Sequence, residues 1–315
     1  MEHRVLGTTG VHVSVLGFGT WQLAGRMGAM DRADAESLIR GAIDGGLTFI
    51  DTAEAYGDSE KILGKALGEG YREKCFLATK VSEDFTAGGI EKAVQNSLNA
   101  LRTDRIDLYQ LHRYDPDVPL EESLGAVSRL MEDGSIRFVG VSNFTVEQLE
   151  QAETILPIVS NQINYNALNR SAERRMLGYC HKAHISVLAH SSLAKGLLCG
   201  KYGPEHTFAP DDERSSFPGY SGDTFAAYLA LVEELKEAAA KRGLTVTQAA
   251  IAWLLAQEEV TSVLIGPKDL TQLEEAAFVL GAIAPQHRIE LRAHMNDILE
   301  NRGLPTLCPF PSQLV

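Results

Sequence analysis

The stretch Leu47-Thr48-Phe49-Ile50-Asp51-Thr52-Ala53-Glu54-Ala55-Tyr56-Gly57 decides the fold. Leu47 to Ile50 is a short apolar run with aromatic and β-branched content, the pattern of a buried strand. It ends directly on Asp51, and Tyr56 follows in a loop before a helical pattern over Ser59–Leu67. Two later runs end in the same way. Cys75-Phe76-Leu77-Ala78-Thr79 delivers Lys80, and Ile106-Asp107-Leu108-Tyr109-Gln110-Leu111 delivers His112. Three successive strands therefore place an acid, an amine and an imidazole at equivalent ends. In a parallel barrel those ends form the C-terminal face, where active sites sit.

Outward from this stretch the pattern repeats. Upstream, Arg4–Val5 and Val11–Val13 flank a Gly7-Thr8-Thr9-Gly10 turn and predict a hairpin suited to plug the N-terminal end of a barrel. Ser14 to Trp21 reads as the first barrel strand running into a glycine-bearing loop. Asp31–Ile43 reads as a helix stopped by Gly45-Gly46. Downstream, strands over Phe76–Lys80, Ile106–Leu111, Phe138–Ser142, Val159–Asn164 and Ile185–Ala189 alternate with helices over Gly89–Leu101, Leu120–Met131, Val146–Thr154 and Ala172–Lys182. A stretch from Lys195 to Gly222, rich in Gly, Pro, Ser and Asp, is too long for a plain connection and marks a functional or mobile segment. Helices over Phe225–Arg242 and Thr247–Gln257 precede the eighth strand, Val260–Ile265. Helices over Leu270–Leu280 and Gln286–Asn301 and a Pro-containing tail close the chain. Eight strands alternating with helices predict an α/β fold, a (β/α)8 TIM barrel with an N-terminal β-hairpin plug and extra C-terminal helices. The expected organisation is one domain over residues 1–315. An open doubly wound sheet binding a dinucleotide would carry Gly-x-Gly-x-x-Gly after its first strand. Here Gly17 and Gly19 lack the third glycine.

Composition bounds the function. A 44% apolar content over 315 residues supports a large packed core. A net charge of −13 argues against nucleic-acid and anionic-membrane partners. No opening apolar segment and no span-length run is present, and the cysteines (Cys75, Cys180, Cys199, Cys308) lie far apart with no CxxC, which together predict reduced thiols and a cytoplasmic protein. No His or Cys spacing suggests a metal site.

The strand-end residues form a chemical set. A phenol has a pKa of about 10 and is a poor acid at neutral pH, but a neighbouring ammonium favours its phenolate. A carboxylate keeps the ammonium charged, and an imidazole can hydrogen-bond the reacting oxygen. Asp51, Tyr56, Lys80 and His112 at one rim would protonate an oxyanion forming on a carbonyl. Taken singly each has a duller role: Asp51 as a turn cap, Lys80 in a structural ion pair, His112 and Tyr56 as packing groups.

With those residues in place the chain resembles the aldo-keto reductase superfamily over nearly its whole length. Asp-Thr-Ala-x-x-Tyr-Gly at 51–57 looks like the signature around that family's acid–base tyrosine, and Thr79-Lys80-Val81 and Leu111-His112 match its lysine and histidine positions. The resemblance implies a nicotinamide-nucleotide site. Ser142, Asn143 and Gln162 would hold the carboxamide, with Gly19, Thr20, Trp21 and Asp51 beside the cofactor. Ser191, Leu193, Gly196 and Leu197 resemble the pyrophosphate loop. Gly266, Lys268, Gln272 and Glu275 resemble the segment at the adenosine end. Lys268 beside Gly266 combines a cation with close backbone approach, suited to a ribose 2′-phosphate, which favours NADPH over NADH. Three positions depart from the family pattern. His190 stands where an aromatic usually stacks on the nicotinamide, Ser192 where a proline is common (expected to loosen the loop), and Ala276 where an asparagine often reads adenine. Trp21, Tyr56, His112 and Tyr165 are expected to line a pocket for a small-molecule carbonyl substrate. The expected activity is NADPH-dependent reduction of aldehydes or ketones. Two other readings are a cofactor-sensing regulatory subunit of a membrane channel or other partner, and a barrel using Lys80 as a Schiff-base nucleophile.

Overall fold

The computed structural model describes residues 1–28 and 30–300; the Pro-containing tail, Cys308 and the expected helix end at Asn301 lie outside the described residues. An antiparallel hairpin comes first, β1 (His3–Val5) paired with β2 (His12–Ser14). Eight parallel strands follow: β3 (Leu16–Gly19), β4 (Phe49–Asp51), β5 (Phe76–Val81), β6 (Ile106–Leu111), β7 (Ile136–Ser142), β8 (Ser160–Asn164), β9 (Ser186–His190) and β10 (Val260–Ile265). Each pairs with the next, and β10 returns to β3 to close the barrel. Helices α1 (Arg32–Asp44), α2 (Ser59–Ala66), α3 (Ala87–Leu101), α4 (Leu120–Glu132), α5 (Val146–Glu153) and α6 (Met176–Ala183) fill the crossovers. Between β9 and β10 lie α7 (Gly222–Ala240) and α8 (Val246–Leu255), and α9 (Leu270–Ala282) and α10 (Pro285–Leu299) follow β10. The TIM barrel with its hairpin and extra C-terminal helices is the expected one.

Local sequence sets the element starts. Asp31 accepts a hydrogen bond from the Ala33 amide at the head of α1, and Thr145 with Gln148 and Thr245 with Gln248 form reciprocal caps on α5 and α8. Every residue of α8 is buried, which its run Ala-Ala-Ile-Ala-Trp-Leu-Leu dictates.

Strand alternation stacks the barrel interior in layers. At the floor, Leu6 and Val13 of the hairpin pack with Phe49, Phe76, Leu108, Val159, Leu188 and Leu264. Both hairpin side chains are 0% exposed, so the hairpin seals the barrel from below. Gly17 is needed there: a Cβ would stand 2.5 Å from Leu264 Cδ2 and 2.9 Å from Phe49 Cδ1. Two or four residues further along the same inward faces, the layer turns polar. Phe49 gives way to Asp51, Phe76 to Lys80 and Leu108 to Gln110. That change makes the site.

The hairpin is also clamped from outside. Glu2 takes a bidentate ion pair from buried Arg288 of α10, at 2.8 and 2.5 Å. Arg4 donates to the carbonyls of Leu255 (2.7 Å), Gln257 (2.9 Å) and Val260. The open carbonyls past α8 are thereby satisfied by a residue from the other end of the chain.

Candidate active site

The end of β4 delivers Asp51 into the barrel mouth, and β5 brings Lys80 beside it. Lys80 Nζ donates to Asp51 Oδ2 at 2.6 Å and to the Thr52 carbonyl at 2.8 Å, and it lies 5.0 Å from the Tyr56 ring centroid. The other Asp51 oxygen accepts from Gln162 Nε2 at 2.8 Å and Gln110 Nε2 at 3.1 Å, and the two amides are joined at 3.2 Å. All four side chains are buried. A buried pair so completely hydrogen-bonded is one whose single-partner loss strands a charge.

Burial lowers the pKa of Lys80, but the Asp51 charge and then Tyr56 outweigh it, so the amine is held as an ammonium. Tyr56 responds the other way. Burial raises its pKa most, the Lys80 charge opposes and Asp51 adds to the rise, and the net direction is up. This corrects the sequence expectation that the lysine would leave the phenol more acidic than usual: desolvation outweighs a single ammonium that already belongs to a carboxylate.

Tyr56 sits in the β4–α2 loop, whose turn is closed by its amide donating to the Ala53 carbonyl at 3.0 Å. Its ring meets the edge of Trp21 at 4.8 Å and of His112 at 5.7 Å between centroids. His112 follows β6, with its amide on the Val81 carbonyl and its Nδ1 2.6 Å from Ser82 Oγ. Burial and the nearby Lys80, His190 and Arg113 push its pKa well below the ordinary histidine value. The structure thus brings Asp51, Tyr56, Lys80 and His112 together at one rim.

The ends of β7, β8 and β9 continue the rim. Ser142 Oγ donates to the Gln162 carbonyl at 2.9 Å, and Asn143, at φ 58°, donates to Ser142 Oγ at 3.0 Å. His190 Nε2 lies 3.0 Å from Asn143 Oδ1, and its Nδ1 3.1 Å from Ser191 Oγ. Burial, with Lys80 and Lys195, pushes His190 down to about 3, so it is neutral and donates to Asn143. Beyond it, Ser191, Ala194 and Lys195 hold left-handed φ values of 53°, 47° and 47°, with Gly196 at 96°. Three non-glycine residues in that region store strain of the kind found at ligand clamps. Leu193 is half-buried there, whereas the Leu197 side chain is fully buried in the core, leaving only its backbone for a ligand. Ser192 is buried and its hydroxyl donates to the Ala189 carbonyl at 2.8 Å. It ties the turn down, against the expectation of a looser loop.

The segment after Lys195 crosses the mouth to the loop after β3. Glu213 accepts from Trp21 Nε1 at 2.8 Å and Lys195 Nζ at 2.7 Å, and its amide donates to the Arg26 carbonyl. Arg214 holds Asp212 through two hydrogen bonds and reaches the Tyr202 hydroxyl at 2.6 Å. Past β10, a Cβ on Gly266 would stand 2.7 Å from Gln22 Oε1, a buried atom with no hydrogen-bond partner. The Lys268 amide donates to Gln272 Oε1 at 3.1 Å and its ammonium to the Met27 carbonyl. Burial and then the charges of Arg214 and Lys201 lower the Lys268 pKa, the condition an anion would relieve. Glu275 accepts from Thr245 Oγ1 at 2.7 Å, Gly19 closes β3, and Thr20 bonds the Asp51 carbonyl at 3.0 Å. An orphaned amide oxygen at Gln22, a strained backbone turn at residues 191–196 and a lysine with a lowered pKa at position 268 fit a nicotinamide nucleotide. Among the described residues no group of three or more His, Cys, Asp or Glu could hold a metal ion.

Tyr165 does not join this rim. It is 0% exposed; its hydroxyl pairs with Glu173 (2.7 Å) and Arg292 (2.9 Å), and its ring packs on Trp253, 5.3 Å away. Packing, rather than a pocket wall, is its place. Sequence reading missed Gln110, Ser82 and Glu213. Gln110 had a signal, since it lies two residues before His112 on the inward face of an apolar strand; Glu213 had none.

A closed parallel barrel with this rim belongs to a class of oxidoreductases. Residues 15–287 match the Aldo/keto reductase family. The chain is 38% identical to aldo-keto reductase YhdN of Bacillus subtilis (strain 168), covering 96% of this chain and 94% of that one. It is 30% identical to aldo-keto reductase yakc [NADP(+)] of Schizosaccharomyces pombe (strain 972 / ATCC 24843), covering 84% and 82%. The structure of the glycerol dehydrogenase AKR11B4 from Gluconobacter oxydans superposes with a TM-score of 0.85 at 34% identity, covering 98% of both chains. The chain belongs to the aldo/keto reductase family, an NAD(P)H-linked group of oxidoreductases acting on small-molecule carbonyl compounds.

Proposed function

We propose that this protein reduces aldehydes or ketones to alcohols with NADPH, using Tyr56 as general acid. The observation that carries the reading is the Lys80 ammonium, 2.6 Å from Asp51 and 5.0 Å from the Tyr56 ring centroid, with the His112 ring 5.7 Å from that ring between centroids. When bound, NADPH supplies a hydride to the carbonyl carbon. Tyr56 gives its proton to the carbonyl oxygen as charge develops there, and burial keeps that proton in place beforehand. Lys80, kept charged by Asp51, stabilises the phenolate that remains. His112, neutral, hydrogen-bonds the same oxygen and orients the carbonyl. Trp21, Tyr56 and His112 line the substrate side.

The cofactor's holders follow the rim. Ser142, Asn143 and Gln162 take the carboxamide, with His190 flanking the ring. The strained turn from Ser191 through Leu193, Gly196 and Leu197 takes the pyrophosphate. Gly266, Lys268, Gln272 and Glu275 take the adenosine end, and Gly19, Thr20 and Trp21 close the near wall. Lys268, crowded by Arg214 and Lys201, supports a 2′-phosphate and hence NADPH over NADH. The expected single domain folds as one barrel over the described residues, and the protein works in the cytoplasm with no nucleic-acid partner. Among the described residues no helix is long and apolar enough to cross a membrane.

A fluorescence titration with NADPH and NADH at fixed salt, followed by a carbonyl panel with Tyr56→Phe, tests the reading. NADPH tighter by tenfold or more, about 1.4 kcal/mol, with turnover lost in the variant and NADPH binding kept, is the expected result. Unchanged turnover in Tyr56→Phe overturns the acid. The Schiff-base reading of Lys80 is disfavoured, because an amine held protonated against a carboxylate is not nucleophilic. No observation favours the regulatory-subunit reading.

A further inference from the structure

His112 has two ring nitrogens, and a donor role toward a carbonyl oxygen requires the proton on the one that faces the pocket. Nδ1 is taken by Ser82 Oγ at 2.6 Å, and among the described residues none bonds Nε2. The ring is buried beside Lys80, His190 and Arg113, three basic groups that oppose a second proton. With one proton to place, the ring carries it on Nε2 if Ser82 donates to Nδ1, and on Nδ1 if Ser82 accepts.

The surroundings of Ser82 decide the direction. Ser142 and Ser192, at other strand ends of the same rim, hand their hydroxyl protons to the carbonyls of Gln162 and Ala189. Among the described residues no carbonyl accepts from Ser82 Oγ; the imidazole nitrogen is its sole partner. The serine is fixed in place as well. Its amide and that of Glu83, at 3.0 Å, both donate to Glu54 Oε1, while the Glu54 amide donates to the Lys80 carbonyl at 3.2 Å. Ser82 and His112 extend paired strands, with Val81 opposite Leu111 in the ladder, so the hydroxyl and the ring meet without any loop adjustment.

We propose that Ser82 is a positioning residue which, by donating to Nδ1, holds His112 as the Nε2–H tautomer, with Glu54 anchoring Ser82. This rests on the reading of His112 as a donor to the substrate oxygen.

The test is histidine 15N NMR of the NADPH-bound enzyme at pH 7.5, with the His112 signals assigned by their loss in His112→Gln. It is run beside steady-state reduction of 4-nitrobenzaldehyde for wild type, Ser82→Ala, Ser82→Thr and Ser82→Asp. The expected result is an Nε2–H coupling pattern in wild type and Ser82→Thr, and a mixture of tautomers in Ser82→Ala. In Ser82→Ala kcat should fall by about tenfold or more with NADPH affinity unchanged. In Ser82→Asp, the carboxylate should draw the proton to Nδ1 and move the acid limb of kcat/KM to higher pH. An Nδ1–H pattern in wild type, or an unchanged Nε2–H pattern in Ser82→Ala, overturns the proposal. A wild type that reduces no carbonyl yet shows the Nε2–H pattern overturns the functional reading while leaving the role of Ser82 supported.

Discussion

The floor and the rim of this barrel are made by the same strands only two to four residues apart, and they obey opposite rules. At the floor, Phe49, Phe76 and Leu108 meet Leu6 and Val13 of the hairpin, and stability comes from removing apolar surface from water. At the rim, Asp51, Lys80, Gln110 and Gln162 are as deeply buried, yet every contact between them is a hydrogen bond or an ion pair. The floor tolerates apolar exchanges that keep its volume. The rim tolerates only complete sets of partners, since one missing member leaves a charge in a place water cannot reach.

Substitutions separate the two layers. Lys80→Met should give the largest effect, a loss of about 10²- to 10⁴-fold in kcat, together with about 3–5 kcal/mol of stability because Asp51 is left without its cation. Adding Asp51→Asn should recover most of that stability in urea unfolding and none of the turnover. Phe49→Ala at the floor should cost about 3–5 kcal/mol while kcat per folded molecule stays near wild type. Gly17→Ala should cost about 1–3 kcal/mol, as its new methyl meets Leu264 and Phe49. The last test is the pH response of the rim histidines. His112 and His190 have depressed pKa values, so below about pH 6.5 the unfolded chain binds protons the folded chain refuses. Stability therefore falls as pH drops from about 6.5 toward the folded value of about 3 for His190, by at most about 1.4 kcal/mol per pH unit per histidine. His190→Asn should narrow the difference between urea midpoints at pH 7.5 and 5.5; an unchanged difference would mean that His190 is not held neutral.

Much of the floor and part of the rim are legible in the sequence. Apolar runs that end on Asp51, Lys80 and His112 announce both the parallel strands and the face they point to, because strand alternation is a local property. What is not local does not show. Glu213 reaches Trp21 from 192 positions away, through a segment whose path depends on where the barrel mouth lies. Tyr165 follows a strand carrying Gln162 and looks suited to the pocket, but Glu173 and Arg292 draw its hydroxyl elsewhere. The direction of the Tyr56 shift needed the depth of burial, which no residue name supplies. Ser192 gives the same lesson: a hydroxyl bound to a carbonyl three residues back does the work of a proline ring.

The clamp of Glu2 and Arg4 has a consequence for how the chain reaches this state. Their partners are Arg288 and the carbonyls of Leu255, Gln257 and Val260, between 251 and 286 residues downstream. During synthesis the hairpin can therefore form its own pairing early, but Glu2 and Arg4 wait more than 250 residues for the partners of the clamp, and β3 likewise waits for β10. At roughly 5–20 residues per second, the hairpin stays without its anchors for tens of seconds. The barrel is in this sense fastened late in synthesis, and any truncation that removes α10 leaves Glu2 without the ion pair that holds it.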